Sequence, residues 1–172
     1  KGLTYPLIAK PNRGFRGYLV RTIDSEEALL RYLRRVPADV LIQEFIPFDK
    51  ELGIFYHRYP GEDHGKITSV TIKEFLTIKG DGEKTLQELI AFDNRAFLYQ
   101  EIFSVIHKEK MGQILDKDEE LVLSFIGNHS KGTRFVNGNH LIDDRLTQLM
   151  DELCRPMEGF YYGRLDIKYR DF

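Results

Sequence analysis

Three stretches of the chain carry residues whose types and spacing could do chemistry. The first is Lys10 with the loop behind it, Pro11-Asn12-Arg13-Gly14-Phe15-Arg16-Gly17. Glycines let backbone N–H groups approach an anion closely, Arg13 and Arg16 add charge, and Lys10 at a strand end can reach anionic oxygens as a point charge. The G-x-x-x-x-G-K-[ST] order is absent, so this is not a Walker loop, and a plain hairpin turn is the structural alternative. The second is VLIQEFIPFDKE, Val40 to Glu51. It starts as a β-branched, buried strand, turns polar at Gln43-Glu44 and breaks at Pro47, which has no N–H to give a ladder. A flat ligand with polar edges could lie against such a strand end. Backbone groups of Phe45 and Ile46 would read its edge, Glu44 would accept from an exocyclic amine, and Glu51 from hydroxyls. The alternative is an edge strand and a solvated acidic loop. The third is GRLDIK, Gly163 to Lys168. In a strand Arg164, Asp166 and Lys168 share one face, as a charged cleft floor or as a solvated outer strand.

The elements that must position these residues are short and mixed. Pro6–Lys10 reads as a strand, the glycine loop as a hairpin, and Tyr18–Ile23 as the returning strand. Asp24 is the expected cap of a helix, with Glu27 as capping-box partner, an apolar stripe of Ala28, Leu29, Leu30 and Leu33, and a stop at Pro37. Leu52–Tyr59 reads as a strand, and Lys66–Lys79 as one long strand-like run ending at the turn Gly80-Asp81-Gly82. Thr85 is the expected cap of the next helix, with Glu88 as its capping-box partner. Arg95–Lys110 reads as a helix with Phe97, Leu98, Ile102, Val105 and Ile106 toward the core, and Glu119–Ile126 as a strand. Asp143 or Asp144 caps a last helix with Leu146, Leu149, Met150 and Leu153 as its stripe. Two Gly-Asn-His triplets, at Gly127 and Gly138, put His129 and His140 in loops at no familiar metal-ligand spacing, so backbone-satisfied histidines are expected. A weaker functional alternative has Asn128, Lys131 and Arg134 lining an anionic site.

Bulk properties bound the choices. The 172 residues are 42% hydrophobic and 30% charged with a net charge of −2. That is a globular composition, and the charge argues against nucleic acid or an anionic membrane as main partner. The single cysteine, Cys154, excludes a disulfide framework, fits a reducing compartment such as the cytoplasm, and reads as a small buried hydrophobe. The chain starts at Lys1 without a methionine and ends just after a strand-like run, so a piece of a longer protein is expected.

KPNRGFRG, QEFIPFDKE and GRLDIK, in that order, closely resemble three motifs of the ATP-grasp ligases, and KGDGEKTLQELI resembles a segment of cyanophycin synthetases and related amino-acid ligases. Within the superfamily the chain is similar to D-alanine–D-alanine ligases, cyanophycin synthetases and glutathione synthetases. The resemblance implies an α+β fold of two lobes holding ATP between them: residues 1–47 as a lid lobe with the glycine-rich hairpin, and 48–172 as a second lobe. It implies ATP and Mg2+ as cofactors, and small carboxylate and amine substrates such as amino acids or short peptides. It also implies an acylphosphate route to a C–N bond and allows a homodimeric parent. Carried over by position, Lys10, Gly14, Gln43, Glu44, Phe45, Ile46, Glu51 and Lys73 contact the nucleotide, Asp166 ligates the metal, and Arg164 is catalytic. The family's following Glu-x-Asn strand is not in this sequence, so the chain by itself is expected to be inactive. The rivals are a nucleotide-binding or regulatory module that holds ATP without ligation, and a plain α+β interaction domain.

Overall fold

The computed structural model describes residues 2–14 and 17–171. Phe15 and Arg16 of the glycine loop lie outside the described residues. The chain forms two compact units, 1–47 and 48–172, and it is α+β with antiparallel pairing in all its sheets. No helix among the described residues is long and apolar enough to cross a membrane.

The first unit is a three-stranded sheet with one helix. Strand β1 (Leu7–Pro11) lies between β2 (Arg21–Ile23) and β3 (Val40–Glu44). Period-two alternation sends Leu7, Ala9 and Ile23 inward, where they meet Tyr32 and Val36. Helix α1 (Glu26–Arg35) is capped by Ser25, whose hydroxyl accepts from Ala28 N, and not by Asp24. Its buried face is Ala28, Leu29 and Tyr32, while Leu30 and Leu33, expected inside, are exposed. The reason is Tyr32, one helical turn from Ala28: its ring fills the core and its hydroxyl donates to Leu19 O at 2.7 Å. The returning strand is shorter than expected because Gly17 and Leu19 have φ of 68° and 58°, a turn conformation that cannot pair in a ladder. Strand β3 is an edge strand, half-buried rather than buried, with Leu41 turned to solvent.

The second unit is built on a sheet ordered β8-β5-β4-β9. Its strands are β4 (Lys50–His57), β5 (Lys66–Glu74), β8 (Arg134–Asn137) and β9 (Tyr162–Tyr169). One face is apolar: Leu52, Ile54, Tyr56, Ile67 and Val70 pack on Leu146, Met150 and Cys154 of helix α4 (Asp144–Cys154). Asp143 caps α4 by accepting from Leu146 N at 2.7 Å. Cys154 is fully buried, and burial pushes its thiol up, as expected for a small core residue. Leu149 and Leu153, expected in the stripe, are exposed; the sheet takes the neighbouring face instead, Leu146-Met150-Asp151-Cys154.

The expected strand Lys66–Lys79 is two strands in two sheets. It breaks at Phe75-Leu76, and β6 (Thr77–Lys79) pairs with β7 (Glu120–Val122). Around that pair lie α2 (Leu86–Phe92) and α3 (Gln100–Ile106), enclosing Ile78, Leu86, Ile90, Ala96, Phe103, Leu115 and Leu123. The expected Thr85–Glu88 capping box is present in full. Asp81 accepts from the amides of Glu83 and Lys84 and from Lys84 Nζ, so Gly80-Asp81-Gly82 is a structural turn. The expected helix 95–110 is a 3-10 turn (Ala96–Tyr99) followed by α3. The change of pitch rotates its faces: Ala96 and Phe103 are buried, whereas Leu98 and Val105 are 73% and 77% exposed, and Phe97 and Ile106 are exposed too.

One buried polar knot ties α4 to the β4–β5 hairpin. Asp151 accepts from Tyr56 OH at 2.6 Å, from Gly65 N at 2.8 Å and meets His64 Nδ1 at 3.0 Å. Burial raises the Asp151 carboxyl, but the bonds from Tyr56, Gly65 and His64 outweigh it and hold it below the usual carboxylate range. Burial, and then the bond to Asp151, pushes Tyr56 up to about 12. Tyr56→Phe removes a bond to a charged acceptor and should cost about 1.5–3 kcal/mol in urea unfolding. A depressed carboxyl contributes stability above its unfolded pKa of about 3.9 and loses it as pH falls further. The wild-type advantage over Tyr56→Phe should therefore shrink in unfolding curves below about pH 4.

Candidate functional site

The polar face of the second sheet, opposite α4, is laid out by strand register. Glu51 on β4 stands between Lys73 on β5 and Lys168 on β9. One pleat further, Gly53 stands between Thr71 and Asp166, and next Phe55 stands between Ser69 and Arg164. The β4–β5 hairpin and the sequence-distant β9 thus bring Glu51, Lys73, Asp166 and Arg164 onto one surface.

Lys73 is the centre of it. Its side chain is only 2% exposed, and its Nζ donates to Glu51 Oε1 at 2.5 Å and reaches Asp166 Oδ2 at 3.0 Å. Glu51 is the direct cross-strand neighbour, but Asp166 is a diagonal one, two strands away. Gly53 stands between them on β4; a Cβ there would lie 3.4 Å from Asp166 Oδ1 and 3.3 Å from the Arg164 side chain. Asp166 is half-exposed, and its other oxygen, Oδ1, lies 3.7 Å from Arg164 Nε. Gly127 closes the site over Glu51, since a Cβ at that position would overlap the Glu51 carboxylate. Lys168 is turned aside, donating to Phe48 O at 3.0 Å with its ammonium over the Phe75 ring.

Chemically, the face offers a carboxylate with solvent access, a fixed guanidinium beside it, and a buried ammonium shared by two acids. Hard oxygen donors of this kind suit Mg2+, which needs only one or two protein carboxylates when phosphate oxygens and waters supply the rest. Among the described residues no group of three or more His, Cys, Asp or Glu side chains is gathered to hold a metal. A cavity of about 480 Å³ lies on the other face, beside α4, lined by Leu52, Ile54 and Leu146 together with the charged Asp143, Arg145 and Glu152. Glu51, Lys73, Arg164 and Asp166 are not among its lining residues.

The remaining sequence-derived residues lie in the first unit. Lys10 is on β1 opposite Leu41, with Gly14 beyond the strand's end. Gln43 and Glu44 close β3 opposite Ile8 and Leu7, and Phe45 and Ile46 follow it. The structure does not assemble Asn128, Lys131 and Arg134 as an anion site. Arg134 is ion-paired with Glu74, and Asn128 Oδ1 accepts from the Ser130 amide and hydroxyl. His129 Nδ1 lies 3.0 Å from Thr133 O, the backbone-satisfied arrangement expected of a loop histidine. Gly53 and Gly127 are the site residues the sequence reading missed.

No protein-family model matches the chain, and no curated protein matches it. Among solved structures, the chain is similar to a bifunctional glutathione synthetase from Pasteurella multocida, with a TM-score of 0.46 and 17% identity over 96% of this chain. The chain spans 24% of that protein's length. A likeness at that level decides nothing about this chain's chemistry.

Proposed function

We propose that the chain is the nucleotide-binding part of an ATP- and Mg2+-dependent carboxylate–amine ligase of the ATP-grasp type. Such an enzyme works through an acylphosphate on amino acids or short peptides. The observation that carries the reading is the convergence of Glu51, Lys73, Asp166 and Arg164 on one sheet face. The three ordered motifs KPNRGFRG, QEFIPFDKE and GRLDIK support it independently.

In this reading Asp166 holds the metal, and Arg164 offers a planar, permanently charged fork to the transferred phosphoryl or acyl oxygens. Lys73 and Lys10 contact phosphate oxygens, and Gly14 lets backbone amides approach them. Gln43, Glu44, Phe45 and Ile46 contact the adenine, and Glu51 the ribose. Phosphoryl transfer needs positioned cations more than a protein nucleophile, and these side chains are of that kind. A nucleotide-binding module without ligation is the second reading.

Lys10→Ala tests the nucleotide assignment. Loss of one charged contact should weaken ATP binding by about 1.5–3 kcal/mol in a calorimetric titration. Unchanged affinity in a variant with the wild-type melting curve would remove Lys10 from the site. The distinction between ligase and binding module is read from substrate-dependent ADP release, screened across amino acids and short peptides.

A further inference from the structure

Lys73 occupies an unusual position for a residue meant to meet a ligand. It is buried, and both of the carboxylates it touches are site residues. A buried ammonium requires compensation, and here Glu51 and Asp166 supply it. The oxygen of Asp166 nearest the ammonium is therefore already in use, and its other oxygen faces Arg164. Lys73, Arg164, Glu51 and Asp166 together sum to zero formal charge. A divalent cation arriving alone would meet a carboxylate already paired with Lys73 and would stand beside two positive charges, Lys73 and Arg164.

We infer that Lys73 is a resident counter-ion that fills the cation position at Asp166 and keeps the free site from taking a divalent metal until a polyphosphate anion arrives. The inference rests on the proposed reading of this face as a site for a phosphate ligand with its metal. The anion supplies negative charge that satisfies Lys73 and Arg164, which frees Asp166 for the metal. Metal and anion then bind with positive coupling, each raising the other's affinity by the same factor. Gly53 lies beside the pair, where an added Cβ would press on the Arg164 side chain at 3.3 Å.

The test is Mn2+ binding to the 172-residue chain without nucleotide, followed by electron paramagnetic resonance of free Mn2+. Lys73→Met should bind Mn2+ at least about tenfold more tightly than wild type, and adding Asp166→Asn should abolish the gain. Lys73→Met leaves Glu51 uncompensated, so the same comparison is made between Lys73→Met/Glu51→Gln and Glu51→Gln alone, where no unpaired acid remains at position 51. A folded Lys73 variant that binds Mn2+ no better than its Lys73-containing counterpart would overturn the inference. So would a gain that survives Asp166→Asn. Titration of wild type with ATP in the same buffer separates the two proposals. Absence of ATP binding refutes the nucleotide reading, while the nucleotide-free Mn2+ comparison still reports on Lys73 itself.

Discussion

Lys73→Met should lower the unfolding free energy by about 3–5 kcal/mol, the usual cost of removing one partner from a buried ion pair. The cost arises less from lost attraction than from what stays behind. Glu51 is only 11% exposed, and without Lys73 its charge has little water and loses its ion-pair partner. The double variant Lys73→Met/Glu51→Gln removes both charges and should recover a large part of the loss. Urea unfolding of wild type, both single variants and the double variant checks this as a cycle. Additive single effects would mean that the pair does not interact as its geometry implies.

Asp166→Asn should do the opposite: little to stability and much to function. Asp166 is half-exposed, and an exposed ion pair contributes only about 0–1 kcal/mol. Lys73 keeps Glu51 in the variant, so no buried charge is orphaned. Metal-assisted charge stabilisation is worth several kcal/mol, and losing even about 3 kcal/mol slows a reaction about a hundredfold. On the proposed reading, Mg2+-dependent ATP turnover should therefore fall by about a hundredfold or more in Asp166→Asn while the melting temperature stays nearly fixed. Turnover that survives the substitution would make Asp166 an ordinary strand residue.

The layout of β9 was legible because alternation in GRLDIK separates Arg164, Asp166 and Lys168 from Leu165 and Ile167 without reference to any other strand. The capping box at Thr85 and Glu88 was legible for the same reason, since both partners lie within one turn. Helix faces were harder. Leu30, Leu33, Leu149 and Leu153 are as hydrophobic as a stripe requires, but Tyr32 and the pair Asp151 and Cys154 win the inward positions. Tyr32 wins through its bond to Leu19 O, and Asp151 through the donors Tyr56 and Gly65, none of which is close in sequence.

The break at Phe75-Leu76 was hidden because the run from Lys66 is apolar enough to continue. Only the core around β6 and β7, where Leu76 O accepts from Leu123 N at 2.8 Å, takes the chain out of the four-stranded sheet. Gly53 and Gly127 could not be found from local pattern. What they contribute is an empty place beside Asp166 and Glu51, and that exists only after distant segments are brought together. Lys73 came from the family resemblance alone, since period and composition treat it as the polar end of a strand.

A calorimetric titration of the folded chain with ATP, with Mg2+ present and then with EDTA, addresses the nucleotide reading most directly. Saturable, one-to-one binding that strengthens with Mg2+ in wild type and loses that Mg2+ dependence in Asp166→Asn is the expected result. No saturable ATP binding by the folded wild-type chain, or binding indifferent to both Mg2+ and Asp166, would contradict it.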